Sequence, residues 1–163
     1  MKVQFITHLE SLVPNYKKAK FLLAVSGGID SVVMTHLFYT HQLHFDIAHC
    51  NFHLRGEESN QDMNFVQNEL IPGFHSTSEH KPSIFIKEFD TFAVQKDSGN
   101  SIEMVARDLR YDWFREMADQ YDFICTAHHA NDNTETLFLH LIRGTGYKGL
   151  NGIPELNQPF LRP

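Results

Sequence analysis

The alternation of short apolar runs with helical patterns constrains this chain more than any other feature. Residues 21–25 (FLLAV) form an unbroken apolar run, the mark of a strand buried on both faces. A glycine turn follows, and then Val33, Met34, Leu37 and Phe38 share one helical face up to about Thr40. The rhythm returns with a strand at 45–50 and a helix over 57–71, whose Met63, Val66 and Leu70 face inward before Pro72 and Gly73 stop it. Residues 74–82 read as a polar loop and 83–89 as a third strand. Asn100 with Glu103 three positions on resembles a capping box, opening a helix with a buried stripe of Ile102, Ala106, Leu109, Trp113 and Met117. A fourth strand at 123–127 leads into a helix over about 131–142, ended by Gly144 and Gly146. An amphipathic opening, with Phe5, Leu9, Leu12 and Val13, precedes all of this and ends at Pro14. Strand-then-helix units in succession require parallel strands joined by right-handed crossovers. The expected fold is therefore α/β, an open and mostly parallel sheet with helices on both faces. Ligands of such sheets bind beyond the carboxyl ends of the strands, here just after Val25, Cys50, Phe89 and Ala127.

At 163 residues with 42% hydrophobic and 21% charged side chains, the chain has the makeup of a single globular domain. Its net charge of −6 lacks the basic excess of a nucleic-acid binder, so any grip on nucleic acid is expected to lie elsewhere. The two cysteines, Cys50 and Cys125, form neither a CxxC pair nor a disulfide framework and read as reduced, buried thiols. No stretch approaches the ~18 apolar residues of a membrane span, and the amino terminus lacks a signal-like apolar core. The expected setting is the cytoplasm, with no membrane partner.

The strongest local signal is Ser26-Gly27-Gly28-Ile29-Asp30-Ser31 between the first strand and its helix. Two adjacent glycines let backbone approach a ligand closely, and the helix amino terminus aims free N–H groups at an anion, so a phosphate fits. A Walker A loop is excluded, because no lysine occurs between Lys20 and Lys81. Asp30 in the first helical turn repels phosphate unless a cation such as Mg2+ lies between them. A plain strand-to-helix turn with Ser and Asp caps is the alternative.

These six residues match the SGGxDS loop and resemble that of the PP-loop ATP pyrophosphatases, which cleave ATP between its α and β phosphates. Three further stretches sharpen the resemblance: residues 49–59 (HCNFHLRGEES), 103–111 (EMVARDLRY) and 126–136 (TAHHANDNTET). Arg143-Gly144-Thr145-Gly146 and Gly149-Leu150-Asn151-Gly152-Ile153 add to them. Taken together, from about Phe21 to Arg162, the chain is similar to the amino-terminal catalytic domain of the tRNA(Ile)-lysidine synthetases. The resemblance implies a ligase that uses ATP and Mg2+ to attach L-lysine to the wobble cytidine of tRNA(Ile) with a CAU anticodon, through an adenylated cytidine. It further implies ATP contacts at Ser26, Gly27, Gly28, Ile29, Asp30, Ser31, His49 and Asn51, and catalytic roles for Asp30, Arg107, Asp132 and Glu135. Asp30 and Asp132 would hold the Mg2+. Family members commonly carry Asp-Asp-Gln where this chain has Asn131-Asp132-Asn133, so Asp132 is the matching acid and the local negative charge is lower.

The residues also speak for themselves. His49 to Phe52 end a strand where backbone can hold an adenine, and Arg55 can reach a phosphate or RNA; the alternative is His49 and His53 as strand caps and Arg55 as a solvated loop residue. Glu103, Arg107 and Arg110 fall at i, i+4 and i+7 on a polar helix face, where surface ion pairing is the ordinary explanation. Asp132 and Glu135 share a helix face near its start, close to His128 and His129; the pair can hold a metal, take a proton or cap helix amides. His53, Arg55, Arg110, His128 and His129 are thus candidates for substrate contact. Competing readings are a tRNA thiolation enzyme of the same superfamily, a zinc hydrolase built on the eleven histidines, and a regulatory domain with a silent loop. No HExxH helix supports zinc, and two cysteines offer no thiolation centre. The chain is expected to be one catalytic domain, residues 1–163, shortened at its carboxyl end and lacking the tRNA-binding domains; a homodimer is expected only of the intact protein.

Overall fold

The computed structural model describes residues 2–74, 81–127 and 156–163. Labels below number the described elements in chain order. After α1 (Lys2–Leu12) come β1 (Phe21–Ala24), α2 (Ile29–Thr40), β2 (Phe45–Asn51), α3 (Glu57–Asn64), β3 (Ile84–Glu88), α4 (Thr91–Ser98), α5 (Ile102–Met117), β4 (Phe123–Thr126), β5 (Leu156–Asn157) and β6 (Phe160–Leu161). The sheet runs β3-β2-β1-β4-β6-β5. All neighbours are parallel except β5 and β6, which pair antiparallel.

β1 sits between β2 and β4, with Leu22 level with Asp46 on one side and Ile124 on the other. The chain moves outward from β1 through β2 to β3 and then returns to lay β4 on the opposite side of β1. That reversal makes a switch point between β1 and β4, where the connections leave in opposite directions and open a crevice at the strand ends. Side-chain alternation along β1 then builds two cores. Phe21, Leu23 and Val25 pack on one face with Phe5 and Leu9 of α1, Met34 and Phe38 of α2, and Val66 and Leu70 after α3. Leu22 packs on the other face with Trp113, Phe114 and Met117 of α5. Phe38 sits edge-on to both Phe21 and Phe45, at 5.2 and 6.0 Å between ring centroids, which keys α2 to the sheet.

At the amino ends of the strands one buried carboxylate ties the chain together. Asp46 accepts from the Ser83 amide (2.7 Å) and the Tyr121 hydroxyl (2.8 Å), with the Lys20 ammonium 3.6 Å away. The Lys20 amide donates to Asp122 (2.7 Å).

The four expected strands and the α/β class are all present, while several local expectations need correction. The helix expected over 57–71 is α3 followed by a wider π turn at Phe65–Glu69, in which the Leu70 amide reaches back to the Phe65 carbonyl (2.9 Å). α4 corresponds to no expected element; the Asp90 carboxylate caps its start by accepting from Ala93 N (3.0 Å), and Gly99, at φ +69°, ends it. The cap of α5 is Ser101, whose hydroxyl accepts from Met104 N (3.3 Å), so Asn100 and Glu103 form no capping box. The buried face of α5 includes Val105 and Phe114, while Ile102 and Leu109 are only half-buried. The hairpin of β5 and β6 also lay beyond the sequence reading, because two-residue strands carry no alternation to detect. The expected helix over 131–142 falls outside the described residues.

Candidate functional site

Beyond the carboxyl end of β1, the Val25 amide still bonds to Ala48 (2.9 Å), and pairing stops there. The chain turns through Gly27 at φ +94°, a left-handed conformation that side chains disfavour. Gly28 is extended and stands at the N-cap of α2 with no side-chain cap hydrogen bond, the form of helix start at which an anion can be received. Ser31 donates to the Gly28 carbonyl (2.8 Å), and its oxygen lies 3.3 Å from that of Ser26, bringing two hydroxyls to one side of the loop. Gly28 N donates weakly to Ser26 at 3.3 Å. The result is a cradle of backbone N–H groups with two serine hydroxyls beside them, at the positive end of a twelve-residue helix.

This cradle opens into a cavity of about 190 Å3 lined by Ser26, Gly28, Asp30 and Ser31 from the loop, Arg110 and Tyr111 from α5, and Thr126 from β4. It lies at the carboxyl ends of β1 and β4, where the strand order puts the switch point, and extends to Ala48 and Cys50 of β2. A second cavity, about 260 Å3, lies beside it; His49, Asn51, Arg55 and Asp62 line it, and Ser26 and Arg110 border both. The Arg110 guanidinium rests over the Phe52 ring at 5.2 Å, and Phe52 is in turn stacked on Phe89.

His49 is 2% exposed, and burial holds its pKa below the ordinary histidine value against the opposing pull of the Val25 carbonyl and the Asp62 charge. Because a carbonyl only accepts, the 2.8 Å contact with Val25 puts the proton on Nδ1. Nε2 is then a buried acceptor with no partner among the described residues. Asn51 is committed inside the protein: its Oδ1 accepts from His53 N (3.0 Å) and its Nδ2 donates to Asn60 (3.3 Å), which shapes the loop leading to α3.

The candidates thus separate. Ser26, Gly28, Asp30, Ser31 and Arg110 surround the first cavity, and His49, Asn51 and Arg55 the second. Gly27 faces α3, where a Cβ would meet Asp62 atoms at 3.1 to 3.2 Å, and Ile29 points to solvent at 77% exposure. His53 pairs with Glu88 (2.9 Å) at a separate cleft near Phe92. Arg107 is exposed, with its guanidinium over Tyr111 at 5.2 Å. His128, His129, Asp132 and Glu135 lie outside the described residues. Tyr111 and Thr126 stand in the sequence only as the end of the stretch 103–111 and the start of the stretch 126–136, without a role of their own, and no spacing marks Asp62. Among the described residues no cluster of three or more His, Cys, Asp or Glu side chains is placed to hold a metal ion. Burial pushes the Cys50 thiol up to about 12 and the Cys125 thiol well above its ordinary value, so both are protonated at neutral pH. No described helix is long and apolar enough to cross a membrane.

Comparison with known proteins agrees with this geometry. Residues 1–163 match the family profile described as the PP-loop domain. The tRNA(Ile)-lysidine synthase of Bacteroides thetaiotaomicron is 41% identical over 88% of this chain and 33% of its own length. That of Chlorobaculum tepidum is 41% identical over 96% of this chain and 46% of its own length. The chain therefore spans less than half the length of these relatives. Among solved structures, the U34-tRNA thiolase NcsA from Methanococcus maripaludis superposes with a TM-score of 0.60 at 19% identity, covering 90% of this chain and 53% of that one. The NH3-dependent NAD synthetase from Campylobacter jejuni gives 0.59 at 15% identity over 84% and 58%. At those identities the two structures speak to the fold. With the glycine cradle at the expected switch point and the match running the whole length of the sequence, the chain belongs to the PP-loop domain family.

Proposed function

We propose that this chain is the ATP-using domain of a tRNA(Ile)-lysidine synthase, and that it activates the wobble cytidine of tRNA(Ile) for attack by L-lysine. The observation that carries the reading is the cradle itself: left-handed Gly27, the uncapped start of α2 and the paired hydroxyls of Ser26 and Ser31, opening into the crevice between β1 and β4. The relatives at 41% identity support the choice of reaction.

In this reading Ser26, Gly27, Gly28 and Ser31 hold the β and γ phosphates of ATP, which leave as pyrophosphate. The cytidine oxygen attacks the α phosphate, and the amine of lysine then displaces AMP from the adenylated base. Asp30 lines the cavity beside the hydroxyls and is the described carboxylate that fits a Mg2+ ion there. The ion would neutralise charge on the phosphates as the leaving group departs. Arg110, at the border of both cavities, is placed to steady that charge from the α5 side, with Arg107 one turn earlier. Asp132 and Glu135 are assigned the metal-holding and proton-accepting roles from the motif alone. We attribute most of the grip on tRNA to the part of the relatives' length outside the match, as the net charge of −6 suits a nucleotide site better than an RNA-binding surface. A homodimer and a cytoplasmic setting belong to the same reading.

The test is a chimera in which residues 1–163 replace the matching segment of the Chlorobaculum tepidum relative. Release of AMP that requires L-lysine and a CAU anticodon, and that disappears in Asp30→Ala, is the expected result. A folded chimera that binds ATP yet forms AMP without regard to lysine or anticodon contradicts the proposal.

A further inference from the structure

Asp62 has no part in the reaction as proposed, yet it lies against the loop that carries it. A Cβ on Gly27 would stand only 3.1 to 3.2 Å from the Asp62 Cβ, Cγ and Oδ1, closer than ordinary van der Waals contact. The same carboxylate forms an ion pair with Arg55, which comes from the turn before α3. Both side chains line the cavity that shares Ser26 and Arg110 with the phosphate cradle. A bare carboxylate in that position meets an incoming polyphosphate as a like charge. Removing the carboxylate, on the other hand, would take away the wall on which Gly27 rests.

We propose that Arg55 and Asp62 form a neutral clasp on the glycine loop. Asp62 positions the loop by filling the space beside Gly27, and Arg55 cancels the charge that Asp62 would otherwise turn on the polyphosphate. Both are positioning residues that set affinity without touching the reacting atoms. The inference rests on the loop being a polyphosphate site, as proposed above.

The test is calorimetric titration of this chain with Mg2+-pyrophosphate at low ionic strength, where exposed charges are least screened. The Arg55 side chain is 61% exposed and that of Asp62 30%, so modest factors are expected. Arg55→Gln, which uncovers the carboxylate, should weaken binding about fivefold. Asp62→Asn, which keeps the shape and frees the arginine, should tighten it about threefold. The double variant should return to within about twofold of the parent, and Arg55→Lys should match the parent. All differences should shrink in high salt. A purely structural pair predicts instead that Asp62→Asn weakens binding and that the double variant is no better than Arg55→Gln; either result overturns the clasp. If Arg55→Gln does not fold, Arg55→Lys and Asp62→Asn still decide the sign. Parent chain that binds pyrophosphate with the same affinity as every variant overturns the clasp alone, whereas parent chain that does not bind at all overturns the polyphosphate reading and the clasp with it.

Discussion

The two ends of the sheet handle their polar groups in opposite ways. At the amino ends Asp46 is buried but fully engaged, held by the Ser83 amide, the Tyr121 hydroxyl and the Lys20 ammonium, with Lys20 also lying over the Tyr121 ring at 4.4 Å. Those groups come from the segments preceding β1, β3 and β4, so one side chain fixes where three strands begin. At the carboxyl ends the chain leaves groups open. α2 starts without a side-chain cap, and His49 presents a buried acceptor with no partner among the described residues. An unmet buried polar group costs about 1 to 3 kcal/mol, which makes the His49 acceptor a position for a ligand to complete, whereas the exposed start of α2 meets solvent until an anion displaces it. Satisfied polar contacts tie the strands together at one end, and the cavities lie at the other.

The largest effect should come from breaking the closed end. Asp46→Ala strands the Tyr121 hydroxyl and the Ser83 amide and leaves Lys20 without its counter-ion, and should cost about 3 kcal/mol in urea unfolding. Affinity for Mg2+-pyrophosphate should stay within about twofold, since no group at the cradle is touched. A large loss of affinity in a folded Asp46→Ala protein would erase the division between the ends.

At the open end, Gly27→Ala forces a side chain into a left-handed backbone and against Asp62. Stability should fall by about 1 to 2 kcal/mol, while pyrophosphate affinity falls tenfold or more because the cradle is displaced. Unchanged binding would show that the loop conformation does not matter to the ligand.

A smaller effect sharpens the contrast through pH. Since burial lowers the His49 pKa, the unfolded chain takes up a proton that the native chain refuses as pH drops from about 6.5. Stability therefore declines on acidification through that window, by at most about 1.4 kcal/mol per pH unit from this group. His49→Gln, which can still donate to the Val25 carbonyl, should flatten the dependence of Tm on pH between 6.5 and 5.5. An unaltered slope would mean that His49 binds its proton equally well in the native and unfolded chains, against the lowering by burial.

How much of this the sequence revealed follows from what each feature depends on. The β1 run is legible because a strand covered on both faces needs continuous apolar residues, β2 and β4 are legible from their shorter apolar stretches in the same rhythm, and the SGGxDS turn is legible because its requirements are local. α4 is not, since Phe92 and Val94 sit exposed on a short helix and give no buried stripe to detect. The choice between Arg107 and Arg110 is a matter of rotation: three residues apart, they differ by about 60° around a helix, less than an amphipathic pattern resolves. Only the packing of Val105, Phe114 and Met117 turns Arg110 toward the cavities. Asp62 lies further from view, because its contact with Gly27 joins two elements that nothing local relates.

The central claim is that the open end of the sheet is a working Mg2+-ATP site. Thermal unfolding with Mg2+-ATP at a hundred times its dissociation constant tests it directly, because binding to the native state alone adds roughly 2.7 kcal/mol. We predict a clear rise in Tm with Mg2+-ATP that is absent for ATP with chelator and absent in Asp30→Ala. No rise in the parent chain, or an equal rise in Asp30→Ala, would contradict the account.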